Sequence, residues 1–570
     1  MVTRSRRAGL WGLGVLLAIL TCWAYAPMLE NGFVWDDAAN LVSSRPRWAD
    51  GAKGLAWSFT HPFAGHYQPL TWISYRLDLL VSGATPKGVH ATNLLLHGLA
   101  TALVGWLAWV IAGLVRRPRE RTTPLEGFRP ASALLCAALF ALHPIHVETV
   151  AWATERRDLL STVLVLSAVL LHLRTPAGSL ELSPVRHAVA GLHALAALAR
   201  AQVSLPFVLL AIDLWPLNRT GTLAFDRRSF LRLVSEKRVS FGVSALSSAL
   251  ALWAQSTTGA LTLASEHGVL ARVVQTGYNL AFYPLALLYQ PFRLPLYERP
   301  YPFDPFLGRY LLPALMAFAV LIALFRWRHR PRVGCVWVAA LCYVLLVLPV
   351  SGPAQSGIQL VAERYAYLAT IPLILLAGIA AAHGLIATGH RAMRATLLTA
   401  IIATVGTMAA STRVQTRVWK SDETLWRHVL AYSESSLAHN NLGYILYARG
   451  EVGQALVHLT SALEHVPVYG RPWRGLAAIL EAPRDADAPP GKWVAQTLER
   501  AARARPEEVL PEYAVALAWI QADEPALSEA WLLRVLARDP DHAGARLALA
   551  RLRASGVGTA DRADPAARLP

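Results

Sequence analysis

With 570 residues, of which 54% are hydrophobic and 16% charged, and a mean hydropathy of +0.36, the chain is too apolar to be a water-soluble protein of its size. A net charge of +17 raises nucleic acid as a partner. The arginines, however, gather in short stretches between apolar runs, where they act as orientation signals for membrane insertion, and no nucleic-acid partner is expected. Four cysteines, Cys22, Cys136, Cys335 and Cys342, all lie inside apolar runs, which excludes a disulfide framework and a zinc site of paired cysteines.

At the N-terminus "MVTRSRRAGL" leads into "WGLGVLLAILTCWAYA". The apolar run is long and no clear small-residue cleavage site follows, so a retained first membrane helix with its arginines on the cytoplasmic side is expected. Runs near the ~20 residues needed to cross a bilayer fall at 9–27, 89–114, 131–150, 158–173, 187–199, 203–217, 239–258, 309–326, 334–350, 365–384 and 394–411. Arginine-rich stretches at 116–121, 219–238 and 326–332 are placed on the cytoplasmic side, and about eleven crossings then leave the C-terminal region outside. Residues 273–289 are expected to be re-entrant or interfacial, because a full crossing there would reverse that parity.

The first outside loop, 28–88, is longer than a connector needs and too aromatic for disorder. Within it "YQPLTWISYRLDLLVSG", 67–83, reads as a helix lying in the membrane interface. The loop opens with "NGFVWDDAAN", 31–40. Asp36 and Asp37 there either cap a helix or are simply solvated, or, held at the surface by Phe33, Val34 and Trp35, include a partly desolvated carboxylate able to deprotonate a hydroxyl. The second carboxylate would then orient the acceptor or ligate a cation.

Farther on, "HATNLLLH" puts His90, Asn93 and His97 on one face of a helix top. In "ALFALHPIHVETVAWATERRDLLS", 138–161, His143, His146, Glu148, Glu155, Arg156, Arg157 and Asp158 cannot all face lipid, so they line a cavity or meet water at the outer surface. Hydrogen bonding to a sugar or phosphate is expected there ahead of a divalent metal on the two histidines and a nearby Glu, since Pro144 disturbs the helical register. Arg200 with Gln202 marks a second outer turn, and Asp213 and Trp215 fall at the cytoplasmic end as interface anchors. In "GPAQSGIQLVAERYAYLATIP", 352–372, Glu363, Arg364 and Tyr365 precede a membrane run on the outer side. Arg364 is placed either to grip a lipid phosphate and stabilise it as a leaving group or to pair with a Glu and anchor the helix end.

After about residue 412 the chain becomes alanine-rich and amphipathic. Leu442, Gly443, Leu446, Ala455, Leu459, Ala462 and Pro467 carry the spacing of a tetratricopeptide repeat, and Pro506 and Pro540, 34 residues apart, close two poorer copies. "APRDADAPPG", 482–491, reads as an insertion, and "TRVWKSDETLWRHVLAYSES" as a capping helix pair. The expected fold is all-α: a polytopic membrane helix bundle over 1–411, a soluble α-solenoid of tetratricopeptide repeats over 412–555, and a disordered tail at 556–570.

In that order, "FVWDD", "HATNLLLH", "LFALHPIHVETVAWATERRDLLS", "LPFVLLAIDLWPLNR", "VAERYAYL" and the terminal repeats resemble the transmembrane and tetratricopeptide-repeat O-mannosyltransferases and their bacterial relatives over nearly the whole chain. "HPIHVE" and "ERYAYL" are the most specific of these motifs. The resemblance implies a bundle of the GT-C glycosyltransferase type with a polyprenyl-phosphate sugar as donor and Ser or Thr hydroxyls of a protein acceptor as target. No further cofactor is expected. It implies catalysis by the acidic pair Asp36 and Asp37, with Asp36 favoured as the base, and a substrate pocket shaped by His143, His146, Glu148, Arg157 and Asp158 with His90, Asn93 and His97 beside it. Arg364, with Glu363, Tyr365 and Arg200, would hold the lipid phosphate. Where the family shows a serine-lysine-proline type of sequence before "LPF", this chain has "ARAQVS", 199–204, so Arg200 takes the place of a lysine charge. The implied location is a bacterial inner membrane, with a cytoplasmic N-terminus and periplasmic repeats that dock the acceptor. A GT-C enzyme acting on a lipid or polysaccharide, and a non-catalytic membrane scaffold, are the alternatives.

Overall fold

A computed structural model describes residues 4–115, 127–174, 184–219, 227–258, 268–289, 293–351, 357–482 and 491–554. The arginine stretch at 116–121, the insertion at 482–491 and the tail at 556–570 lie wholly or largely outside the described residues. Among the described residues the chain is helical apart from two short strands, Tyr297–Glu298 and Gln359–Val361. It forms two compact units: Met1–Tyr297 with Phe303–Ser421, and Glu298–Pro302 with Asp422–Pro570.

Among its described residues the first unit contains five helices long and apolar enough to cross a membrane: Gly12–Glu30, Pro86–Val115, Gly308–Arg326, Arg332–Val350 and Arg391–Val418. Two bent pairs, Phe128–Leu142 with Pro144–Ala151 at 54° and Glu363–Ala369 with Ile371–Ala387 at 59°, raise the number to seven if each is one span. All seven coincide with apolar runs read from the sequence, and the chain is an integral membrane protein. The other four runs form the helices Arg156–His172, Pro184–Ala199, Leu205–Leu214 and Arg238–Ser256, which are shorter or more polar. Such helices are accommodated when their polar groups face neighbouring helices rather than lipid.

Residues 273–288 lie in one continuous helix, Val269–Leu288, about 30 Å long at 1.5 Å per residue, which removes the re-entrant hairpin and leaves the interfacial helix of the two expected forms. Gln275, Thr276 and Asn279 on its buried face lower its hydropathy. Elsewhere the helices Phe128–Leu142 and Ile371–Ala387 approach closely because Gly378 has no side chain; a Cβ there would lie 2.5 Å from Cys136 Sγ.

A proline follows each of the two bends, Pro144 and Pro372. Proline withholds an N–H and clashes with the preceding turn, so the helix breaks there. Irregular backbone at membrane depth is tolerated only where protein or a water-filled cavity surrounds it. The two breaks therefore deliver the segments around Glu148 and Arg364 to a protein-lined interior.

The long first loop folds into the helices Arg45–Trp48, Gly51–Thr60 and Pro69–Ser82 around buried Trp48, Trp72 and Tyr75, with Trp57 and Phe63 packed on them. The helix Pro69–Ser82 buries Thr71, Trp72, Tyr75 and Asp78 and exposes Leu77, Leu80 and Val81 on its other side, an apolar strip suited to the membrane interface.

In the second unit eight helices among the described residues run from Asp422–Tyr432 to Ala543–Ala554. The helices Ser436–Ala448 and Val452–His465 pack at Gly443, where a Cβ would meet Leu459 Cγ at 2.8 Å. Helices end at His465, Arg503 and Arg538, two or three residues before Pro467, Pro506 and Pro540. The stretch read as a capping pair contributes one helix to this unit, Asp422–Tyr432, while its leading residues close the helix Arg391–Val418, which runs unbroken through residue 411.

Candidate active site

The "FVWDD" turn is strained and clamped. Trp35 has φ +55°, a left-handed conformation that a bulky side chain rarely adopts and that persists only where surrounding contacts enforce it. Its ring stacks on Trp152 at 4.7 Å and 12°, and Trp152 stacks on Trp419 at 5.6 Å. Asp37 is fully buried. It accepts hydrogen bonds from the Val34 N–H at 3.0 Å and from the N–H and hydroxyl of Thr154 at 2.8 and 2.6 Å. Burial pushes the Asp37 carboxyl up to about 7, against the pull of these donors. Asp36, one residue earlier, is exposed, and the Asn40 N–H and side-chain amide fix its main-chain carbonyl at 2.9 Å each. The adjacent carboxylates thus have different surroundings: Asp37 fastens the loop, and Asp36 is presented.

The segment Ala153–Glu155 and the helix Arg156–His172 bring four charges together. Arg156 is wholly buried; it donates to Asn93 Oδ1 at 2.8 Å and to the Val89 carbonyl at 2.7 Å, pairs with Asp78, and lies over the Tyr75 ring at 4.7 Å. It fastens the loop helix and the helix Pro86–Val115 to this segment. Arg157 donates to Glu155 at 2.5 Å, and Arg200 pairs with Asp158. Burial alone would raise the Glu155 carboxyl, but Arg157, Arg364 and Arg200 hold it down at about 2.

Arg364 arrives from the second bent pair. Its main-chain N–H and its guanidinium both donate to Glu148, at 2.9 and 2.5 Å, and its Nε lies 3.8 Å from Glu155. The guanidinium stands 5.6 Å from the centre of the Trp152 ring and 4.9 Å from that of Tyr365. The Trp35 ring of the "WDD" turn and the Arg364 cation thus both lie against the Trp152 ring. Arg200 also lies over Tyr365, at 6.0 Å. A small cleft is lined by Asp158, Arg200, Gln202, Arg364 and Tyr365. Its two guanidiniums, on Arg200 and Arg364, are paired with Asp158 and Glu148, and Arg157, outside the lining, is paired with Glu155.

The histidines named from the sequence take another place. His97 contacts the Tyr367 hydroxyl at 2.8 Å and the Ala141 carbonyl at 3.1 Å. His146 contacts the Phe140 carbonyl and Thr370 Oγ1, at 2.8 and 3.4 Å. His143 contacts the Leu287 carbonyl at 3.0 Å and accepts from the Ile145 N–H at 3.2 Å. All three are buried with both ring nitrogens engaged by protein. The pair His143 and His146 forms no common ligand set with Glu148, whose carboxylate is spent on Arg364. His90 reaches the Gly32 carbonyl at 3.4 Å, and Asn93 donates to the Val150 and Trp152 carbonyls, so these two hold the loop and the Trp152 turn. Glu363 points to Arg293 at 3.2 Å and Tyr297 at 2.9 Å. Asp213 is buried and paired with His172, Arg219 and Lys237.

Three contributors escaped sequence reasoning. Thr154 and Trp152 lie inside a stretch singled out for its charges, yet their partners are more than a hundred residues away; Thr154 and Asp37 are 117 apart. His66 follows Gly65, at φ +77°, in the same loop. Its side chain is exposed, near the charges of Glu155, Arg157, Arg200 and Arg364. Desolvation first, then Arg157, Arg200 and Arg364 against the opposing pull of Glu155, keep its imidazole well below the usual value and neutral. Its signal in the sequence was position alone, one residue ahead of the interfacial helix stretch.

No family model matches the chain. It is 35% identical to the protein O-mannosyl-transferase TMTC1 of Mus musculus over 187 residues, which is 30% of this chain and 18% of that protein. It is 32% identical to protein O-mannosyl-transferase TMTC4 of Homo sapiens over 158 residues, 26% of this chain and 21% of the other. With protein O-mannosyl-transferase Tmtc1 of Drosophila melanogaster the identity is 33% over 177 residues, 29% and 18% respectively. The match spans about a fifth of the length of these curated relatives. Over somewhat more than a quarter of its own length, the chain is thus a relative of the TMTC protein O-mannosyl-transferases.

Proposed function

We propose that the protein is a membrane glycosyltransferase that moves a hexose, mannose by analogy with its relatives, from a polyprenyl-phosphate carrier to a Ser or Thr hydroxyl of a protein acceptor, with Asp36 as general base. The observation that carries this reading is the exposed Asp36 carboxylate on a turn stacked against Trp152, with Arg364 over the same ring and Arg200 beside it at a small cleft.

In this reading the acceptor hydroxyl oxygen attacks the anomeric carbon while its proton passes to Asp36. The bond from that carbon to the phosphate oxygen breaks, and its electron pair leaves on the phosphate. A single displacement of this kind inverts the anomeric centre. The departing charge needs cations already in position. Arg364, 11% exposed and held by Glu148 through two donors, is the fixed member. Arg200, 28% exposed, is the one that exchanges Asp158 for phosphate. Asp37 does not touch substrate; bound by three donors, it is a positioning residue that sets the Asp36 backbone. The helical repeats are the docking surface for the protein acceptor, as suits an array of helical hairpins. The N-terminus is cytoplasmic, and the site and repeats face the periplasm of a bacterial inner membrane.

The test is purified full-length protein in detergent with a panel of polyprenyl-phosphate hexoses and a Ser/Thr-rich protein acceptor, read by intact mass. A hexose increment on the acceptor, lost in Asp36→Asn, is the expected result. Transfer to lipid or polysaccharide but to no protein would replace the acceptor assignment, and transfer that survives Asp36→Asn would remove the base.

A further inference from the structure

The repeat unit carries a cluster of side chains that glycosyl transfer does not use. Glu434 stands in the turn ahead of the helix Ser436–Ala448, and His439 lies in the first turn of that helix. His458 and His465 lie on the helix Val452–His465, on one face because seven residues make nearly two turns. Glu434 Oε2 is 3.2 Å from His439 Nε2 and 3.0 Å from His465 Nε2. The His439 and His465 rings stack with centres 5.5 Å apart and planes 22° apart. On its other side His439 turns Nδ1 toward Nδ1 of His458, at 2.9 Å.

We propose that Glu434, His439 and His465 form a site for a divalent transition-metal ion of the zinc type, with His458 as the positioning residue behind His439. Their three ligand atoms all lie within 4.8 Å of one another, and two imidazole nitrogens with one carboxylate oxygen are a donor set that zinc accepts. Ligands ~2.0–2.2 Å from a tetrahedral ion stand roughly 3.4 Å apart, close to the separations found here without any ion.

The protons point the same way. A neutral imidazole has one N–H, but His439 faces a carboxylate oxygen with one nitrogen and a second imidazole with the other. If its proton serves His458, Nε2 turns a lone pair toward Glu434, and a cation between them resolves that opposition. A metal-bound histidine ordinarily donates its second N–H to an outer partner that fixes ring and tautomer, and His458 is placed to accept it. The His465 and Glu434 side chains are 36% and 68% exposed, so a fourth coordination position is open to water. A bound ion would join the turn before one helix to the end of the next and brace this hairpin.

Full-length protein stripped with a chelator and titrated with Zn²⁺ against a chromophoric competitor tests this. One equivalent should bind per chain and raise the Tm. His465→Ala, Glu434→Gln and His439→Ala should each weaken binding at least tenfold, and His458→Ala about 10–100-fold by loss of outer support. Melting without zinc shows whether each variant folds, and the exposed substitutions His465→Ala and Glu434→Gln keep the test independent of His439. X-ray absorption should report two imidazole nitrogens and a carboxylate oxygen. Binding below one equivalent, or an affinity unchanged by His465→Ala and Glu434→Gln, overturns the site. Asp36→Asn should bind zinc as the unmodified chain does, so the two assignments fail separately.

Discussion

Asp37→Asn keeps the side-chain shape while turning one carboxylate oxygen into an NH₂ group. Oδ1 accepts both Thr154 donors and Oδ2 accepts the Val34 N–H. With its oxygen toward Thr154, asparagine sets NH₂ against the Val34 N–H, two donors face to face in a fully buried place. A buried donor left unmade costs about 1–3 kcal/mol, and weakening the Thr154 bonds by loss of charge adds about 1 kcal/mol. The substitution should therefore destabilise the fold by about 2–4 kcal/mol. Asp36→Asn, at an exposed position, should stay within about 0.5 kcal/mol of the parent. It should nevertheless lower transfer by roughly 10²–10⁴-fold, the usual contribution of a general base. Thermal unfolding in detergent and the transfer assay, run on both variants, separate the two effects: Asp36→Asn stable and inactive, Asp37→Asn less stable and active in proportion to its folded fraction. A stable but inactive Asp37→Asn beside an active Asp36→Asn would refute the division of roles.

The same carboxyl predicts a pH dependence. Burial raises it from an ordinary 3.8 to about 7, so the native state retains a proton that the unfolded chain releases between those values. Stability should be highest below about 4, fall as pH rises through about 7 and then level off; melting curves of Asp37→Asn should lose this component. Arg156→Met strands the buried Asp78, a loss of about 3–5 kcal/mol, and should abolish accumulation of folded protein. Asp78→Asn in the same chain should restore part of it, and no restoration would mean that Asp78 is not the stranded group. Gly378→Val puts side-chain atoms where Cys136 stands, overpacking worth about 1–3 kcal/mol. Its lowered Tm should recover only in part when Cys136→Ala removes Sγ, because the Cys136 backbone N and Cα stay 3.0 and 3.1 Å from the new Cβ, and an unchanged Tm for Gly378→Val would contradict the close approach of these helices.

By itself the sequence determined the membrane helices, because whether a run crosses a bilayer depends mainly on the transfer free energy of each of its residues. It equally announced the helix pair at Gly443, since only a residue without a side chain lets Leu459 so close. It showed that Glu148, Glu155, Arg156, Arg157 and Asp158 cannot all face lipid, because the cost of burying a charge there belongs to each residue separately. It did not show which charge meets which. Tertiary structure decided that Asp37 is buried against Thr154 while Asp36 is exposed, a distinction absent from two identical neighbours in the chain. It also spent His97, His143 and His146 on interior partners and brought both Trp35 and Arg364 against Trp152. Hydrogen-bond and ion-pair partners are chosen by three-dimensional proximity across long stretches of chain, and no local property of a residue encodes them.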